Sequence, residues 1–314
     1  MLVSTPYDDV FRTMTNDCKE LLIPVVNEAF GEHYSGKEEI CFYPNEHFLN
    51  MQDGQEQKKI TDTCFTIKGE CVKKYHLECQ STEDNSMLVR MFEYDAQIAL
   101  DDGEVRGNTL TISFPNSSVL YLRSNENTPD VLQMQIQTPN GDISYEIPVM
   151  KVKNYSLDEL FEKELLFLIP FYIFVHESRF SAYEKEEGLV EDLRKEYEGV
   201  KVRLERLCQD GTIDEYVMCM ILDMSGKVLE HITRKYQKVW EGVKSVMVGR
   251  VLEYEAKTIR NEGIRLGKEQ GISQGKTLGK LETYFEMIRD GFISITEAAK
   301  RLGMTETELI EKMK

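Results

Sequence analysis

The chain has 314 residues, enough to bury a core and to carry an appendage beside one main domain. An apolar share of 41% excludes wholesale disorder. The formal net charge of −17 excludes a globally basic nucleic-acid binder, so any contact with phosphate has to come from a local basic stripe or a bridging divalent cation.

Taken in order, residues 7–30 read as a helix: Val10, Phe11, Met14, Leu21, Leu22, Val25, Val26 and Phe30 fall near a 3.6-residue period, Pro24 bends or divides it, and Gly31 stops it. Asp8 and Arg12 stand four apart on one face, which suits either a surface ion pair in the first turn or a pair of site residues. Ile40-Cys-Phe-Tyr43 is a short strand ended by Pro44, Glu46 is a further acid close to it, and Met51 to Lys58 reads as a turn or loop. Lys59-Ile-Thr-Asp62-Thr-Cys-Phe-Thr-Ile67 and Lys74-Tyr-His-Leu-Glu78-Cys-Gln80 each alternate apolar and polar residues, with Lys68-Gly69-Glu70 as the turn of a hairpin. In the second strand Tyr75 and Leu77 face one way, and His76, Glu78 and Gln80 the other. If Asp62 pairs on that same face, two carboxylates and an amide converge, which is how a hard cation such as Mg²⁺ is held; the same acids also suit the wet face of any exposed hairpin.

Residues 83–100 read as a helix with Met87, Val89, Met91, Phe92, Ala96, Ile98, Ala99 and Leu100 on its buried side and Arg90 and Tyr94 four apart. Thr109 to Phe114 and Val119 to Leu122 are strand-like, and Leu132–Thr138 with Ser144–Val152 form a hairpin about Pro139-Asn-Gly141-Asp. Ser156-Leu-Asp-Glu159 is a capping box leading into the apolar run 165–175, which is half the length of a membrane span and predicts a buried helix kinked or restarted at Pro170. Residues 183–207 form a charged helix, and 213–260 are helical with Trp240 as a packing anchor. Gly263, Gly267, Gly271, Gly275 and Gly279 then recur every four residues among charged neighbours, as in a self-associating helix or a linker. Eight Lys and Arg against four Asp and Glu over 244–280 make that stretch locally basic. The tail from Asp290 resembles the opening of a helix-turn-helix, with Gly303-Met as the turn and Thr305 as a cap, but Glu306, Glu308 and Glu311 give its second helix the wrong sign for DNA, so packing is the favoured reading.

Three segments in order carry a family resemblance: Thr61-Asp62, then Tyr75-His-Leu-Glu78-Cys-Gln80-Ser, then Met87-x-x-Arg90-Met-Phe-Glu-Tyr94-Asp, with Asp8-x-x-Phe11-Arg12 near the start. Together they resemble the bacterial PD-(D/E)XK nuclease family transposases, or recombination-promoting nucleases. The resemblance implies an α/β restriction-endonuclease-like core with a mixed β-sheet flanked by helices, followed by an all-helical C-terminal extension. It implies a Mg²⁺- or Mn²⁺-dependent DNA endonuclease in which Asp62 and Glu78 ligate the metal, with the Cys79 backbone carbonyl as a further oxygen. Gln80, in place of the superfamily's Lys, orients the water, and Asp8 joins the catalytic set. Arg12, where the family usually has Lys, contacts substrate with Arg90 and Tyr94. Gln80 has no titratable group and cannot act as a general base.

The expected organisation is a nuclease-like domain over 1–180, a helical region over 181–260, the glycine segment over 261–281 and a helical hairpin over 282–314. Seven cysteines without a C-x-x-C pair, and an N-terminus without a basic region leading into an apolar core, suggest a reduced cytoplasmic protein with no membrane segment. No zinc pattern occurs. DNA is the expected partner, and a homo-oligomer through the glycine-repeat helix is the expected assembly. Two other readings stay open: an inactive nuclease-derived interaction module, which the charge and Gln80 favour, and a nucleic-acid-binding regulator acting through the tail.

Overall fold

The computed structural model describes residues 5–43, 46–50, 56–60, 63–81 and 86–247, and in the C-terminal segment 288–289, 293–302 and 309. The chain forms two compact units, Met1–Val251 and Leu252–Lys314. The first is α/β, built on a six-stranded mixed sheet.

The chain opens with α1 (Pro6–Asp17), started by Thr5 in a capping box with Asp8 and by Pro6 in the first turn. The helical run divides at Cys18, not at Pro24: a 3₁₀ turn (Lys19–Leu21) intervenes before α2 (Leu22–Phe30). Pro24 sits in the first turn of α2, where its missing N–H leaves no helical bond unmade. Gly31 ends α2 at φ 65°, the left-handed conformation that favours glycine.

The sheet runs β1 (Glu39–Phe42), β4 (Thr63–Lys68), β5 (Val72–Gln80), β8 (Asn116–Tyr121), β10 (Gly141–Lys151), β9 (Val131–Thr138) in spatial order. The pairs β1–β4, β4–β5 and β9–β10 are antiparallel; β5–β8 and β8–β10 are parallel. Two small hairpins lie outside this sheet: β2 (Glu46–Asn50) with β3 (Glu56–Ile60), and β6 (Glu104–Arg106) with β7 (Thr109–Thr111). Residues 56–58, read from sequence as loop, are thus strand, and the strand expected over 109–114 stops at Thr111.

Between β5 and β8 the chain crosses over through α3 (Met87–Asp101). Its buried stripe is Met87, Met91, Tyr94, Asp95, Ile98 and Ala99, rotated from the expected one; Val89, Phe92 and Leu100 are exposed. Met87 and Met91 pack on Val119, Tyr121, Leu132 and Ile147 of the sheet.

Beyond the sheet, Ser156 and Glu159 close the capping box of α4 (Leu157–Glu162). The apolar run is a 14-residue 3₁₀ helix, Leu166–Arg179, not a kinked α-helix. Pro170 has no N–H to donate to the carbonyl four residues back, and burial of ten of the fourteen side chains holds a geometry that seldom runs past one turn. Phe167 meets Phe11 edge-to-face at 5.3 Å, and Phe174 meets Tyr7 at 5.0 Å. After a single turn, α5 (Phe180–Tyr183), the long helices α6 (Glu187–Gln209), α7 (Glu215–Ile232) and α8 (Gln237–Met247) belong to the same unit as the sheet. A Cβ at Gly242 on α8 would come within 2.5 Å of Val190 on α6, so glycine permits that close approach. Trp240 is only half-buried, with Lys244 5.1 Å from its ring; α8 anchors itself with Val239, Val243, Val246 and Met247.

The second unit contains the helix Ile295–Leu302 and a small core of Ala298, Ala299 and Leu309 with Ile288, Ile293 and Ile295 against it. The glycine repeat 263–279 and the expected Thr305 cap lie outside the described residues. Among the described residues, no helix is long and apolar enough to cross a membrane.

Phe167 is fully buried where α1 and the 3₁₀ segment meet. Phe167→Ala should cost about 3–5 kcal/mol of unfolding free energy in urea titration, and a loss below about 1 kcal/mol would mean that this contact is not part of the core.

Candidate functional site

β5 lies inside the sheet, paired with β4 on one side and β8 on the other. Strand alternation puts His76, Glu78 and Gln80 on one face, with Tyr75, Leu77 and Cys79 buried on the opposite one. This is not a wet hairpin face: His76 is 0%, Glu78 1% and Gln80 8% exposed. The face belongs to the interior because α3 brings Arg90, Tyr94 and Asp95 to it, and because Ser117 stands beside His76 in the parallel register of β8.

The result is one continuous polar chain. Ser117 donates to Asp95 Oδ1 at 2.7 Å, and Asp95 Oδ1 lies 2.7 Å from His76 Nδ1. His76 Nε2 lies 3.0 Å from Glu78 Oε1. Arg90 donates through one terminal nitrogen to Glu78 Oε2 at 3.1 Å and through the other to Gln80 Oε1 at 3.3 Å. Tyr94 meets the His76 ring edge-on at 6.0 Å, and the Arg90 guanidinium lies 5.9 Å from the Tyr94 centroid.

Both ring nitrogens of His76 face carboxylate oxygens, and only the imidazolium can donate from both. Burial pushes the His76 pKa down, but the hydrogen bonds and negative charges of Asp95 and Glu78 outweigh it and raise the value from 6.5 to about 9. With His76 protonated, two carboxylates balance one imidazolium and one guanidinium, which is the condition under which such charges survive burial. Arg90, with 21% of its side chain exposed, is the outermost member of the pair it forms with Glu78.

The end of β5 is fixed separately. Leu122 donates its backbone N–H to the Gln80 carbonyl at 2.9 Å. Arg123 donates to the Ser81 carbonyl at 2.8 Å, grips Glu177 in two bonds of 2.6 and 2.8 Å, and stacks over Phe174 at 4.7 Å. One side chain therefore ties the strand end to the 3₁₀ segment.

Of the site residues expected from sequence, the fold brings together Glu78, Gln80, Arg90 and Tyr94. Asp62 lies outside the described residues; it directly precedes Thr63, whose partner across the ladder is Leu77, the neighbour of Glu78. Asp8 sits in the first turn of α1, where its carboxylate accepts from Thr5 N at 2.7 Å. Arg12 stands one turn further along α1 and is half-buried. Glu46 falls in β2. His76, Asp95 and Ser117 were not anticipated. The readable signals were a histidine two residues before Glu78 on its own face, and an acid set into the apolar stripe of α3. Compared with known proteins, the chain matches no family model, no curated protein and no solved structure.

Because His76 titrates near 9 in the folded chain and near 6.5 when unfolded, its contribution to stability is complete below about pH 6.5 and is lost as pH rises through 9. Wild-type unfolding free energy should therefore fall by about 3 kcal/mol more than that of His76→Gln between pH 6.5 and 9.5. Urea titrations at a series of pH values measure this; parallel curves for the two proteins would show that His76 is not the proton-binding bridge.

Proposed function

We propose that this protein is a divalent-metal-dependent nuclease that hydrolyses DNA phosphodiesters, of the recombination-promoting PD-(D/E)XK kind that its motifs resemble. The observation that carries the reading is the convergence of Glu78 Oε2 and Gln80 Oε1 on a single positive group, the Arg90 guanidinium, at 3.1 and 3.3 Å. Two oxygen donors already aimed at one cation fit a hard metal ion in donor type. Glu78 and Asp62 would hold that ion with the Cys79 carbonyl. When bound, Mg²⁺ or Mn²⁺ supplies Lewis acidity toward the phosphate and its nucleophile.

The chain's own residues have distinct tasks in this reading. His76, backed by Asp95 and Ser117, orients Glu78 through its Oε1, as outer partners do for ligands generally. Arg90 gives up its hold on the two oxygens and turns its fork to a phosphate, for which planar guanidinium geometry is suited. Tyr94, under Arg90, limits where that fork can go. Gln80 orients the attacking water without taking its proton, so proton removal falls to solvent.

A second reading has its own observation. Both Glu78 oxygens are engaged by cationic partners and the residue is almost wholly buried, as in an ion network that serves only the fold. On that reading the chain is a nuclease-derived interaction module.

Supercoiled plasmid incubated with the protein should be cut with Mg²⁺, remain intact with EDTA, and remain intact with Asp62→Ala and with Glu78→Gln. Equal inertness of wild type and variants across divalent metals and DNA forms would favour the interaction module. A readout independent of cutting is metal affinity: Arg90→Gln removes the competing cation and should tighten Mn²⁺ binding several-fold in calorimetry. Unchanged or weaker binding would mean that the Glu78 carboxylate held by Arg90 is not a donor to the metal.

A further inference from the structure

Strand β9 ends the sheet on the side away from β1, and among the described residues its outer edge pairs with nothing. Its sequence, Val131-Leu-Gln-Met-Gln-Ile-Gln-Thr138, contains no ionisable side chain and no proline. Its pairing with β10 is unbroken from Val131↔Pro148 to Thr138↔Gly141, with no bulge to twist the edge away. Open strand edges are usually guarded by a charge, a proline, a bulge or a cover, and among the described residues this one shows none of the four. In a chain of net charge −17, an eight-residue strand without a charged side chain is where a second copy meets the least repulsion, the nearest acids being Glu146 and Asp142 one strand in, which accept from Gln133 and Gln135.

The two faces of β9 differ. Leu132, Met134 and Ile136 share a face with their β10 partners Ile147, Tyr145 and Ile143, while Gln133, Gln135 and Gln137 occupy the other. α3 covers the apolar face at its Leu132–Ile147 end. At the other end Ile143 is left 59% exposed.

We propose that β9 pairs antiparallel with β9 of a second copy, joining two sheets into one through a two-fold axis near Gln135. A two-fold interface puts the same edge on both copies and makes the strands antiparallel. Centred on Gln135, the pairing sets Met134 against Ile136 and Gln133 against Gln137 of the other copy. Apolar then meets apolar and amide meets amide over 133–137, with Leu132 opposite Thr138 at each end. The row Tyr145–Met134 continues into Ile136–Ile143 of the second copy, so the two apolar faces run on into one another across the joint. A two-fold centred on any residue of the strand pairs positions of like parity, so period-two alternation is self-complementary and the sequence suits a copy of itself better than a charged peptide. This interface is distinct from the glycine repeat and does not rest on nuclease activity.

Sedimentation of the full chain at micromolar concentration should give the mass of two copies. Gln135→Lys sets two ammonium groups against each other at the axis and should weaken the dimer roughly tenfold or more, whereas Gln135→Asn should keep it. Amides of 131–138 should exchange more slowly in the wild-type dimer and lose that protection on dilution or in Gln135→Lys. Circular dichroism of the variant should match wild type, since residue 135 is exposed. A monomeric wild type, an open series of larger species, or a dimer that Gln135→Lys leaves intact with unprotected β9 amides would each overturn the proposal. None of these outcomes depends on DNA cleavage.

Discussion

A protonated imidazole sealed between two carboxylates is the interaction on which the centre of this fold depends. His76 has no exposed surface, and neither does Asp95 beside it. Either carboxylate left alone in that interior would face a desolvation cost of several kcal/mol. The imidazolium removes it for both at once and in doing so joins three elements: β5 through His76 and Glu78, α3 through Asp95, and β8 through Ser117, which donates to the same Asp95 oxygen. Apolar packing of Met87 and Met91 brings α3 to the sheet. Packing is non-directional, however, and it is the hydrogen-bonded network that gives the helix its rotation.

That rotation also positions the more exposed part of the site. With Asp95 committed to His76, Arg90, more than one turn earlier on α3, falls where its two terminal nitrogens meet Glu78 and Gln80. The Arg123 clamp acts from the other direction, fixing the end of β5 at Ser81 through Glu177 of the 3₁₀ segment. Glu78 is therefore held from both flanks. Rigidity of this kind serves a functional carboxylate, and it also means that any cation drawn to Glu78 competes with groups already satisfied there. Whether the network is a support for chemistry or only for the fold turns on that competition.

Charge works at two scales here. Globally the chain repels polyanions and copies of itself. Locally it offers positive charge at Arg90 beside the buried acids, and a neutral edge at β9. The sequence adds a third local exception in the stretch 244–280, where Lys and Arg outnumber Asp and Glu eight to four.

Much was legible from the order of residues. The β4–β5 hairpin, the shared face of His76, Glu78 and Gln80, the β9–β10 hairpin at Pro139-Asn140 and the Ser156–Glu159 capping box follow from short-range rules: alternation, turn chemistry and the pairing of a side chain with a backbone N–H three residues away. Four of the expected site residues, Glu78, Gln80, Arg90 and Tyr94, do gather at one place. Other features were decided only by tertiary contact. Val89, Phe92 and Leu100 are apolar yet exposed, because a buried Asp95 turned the helix toward His76. The run from Leu166 became a 3₁₀ helix, since packing on all sides stabilised what local propensity does not. The Arg90 contact to Glu78 comes from 12 residues away in the chain, and the Asp95 contact that joins Glu78 in raising the His76 pKa from 19. Sequence by itself determined which residues could share a face; the folded chain decided which faces meet, because desolvation and charge pairing exist only once distant segments have closed over them.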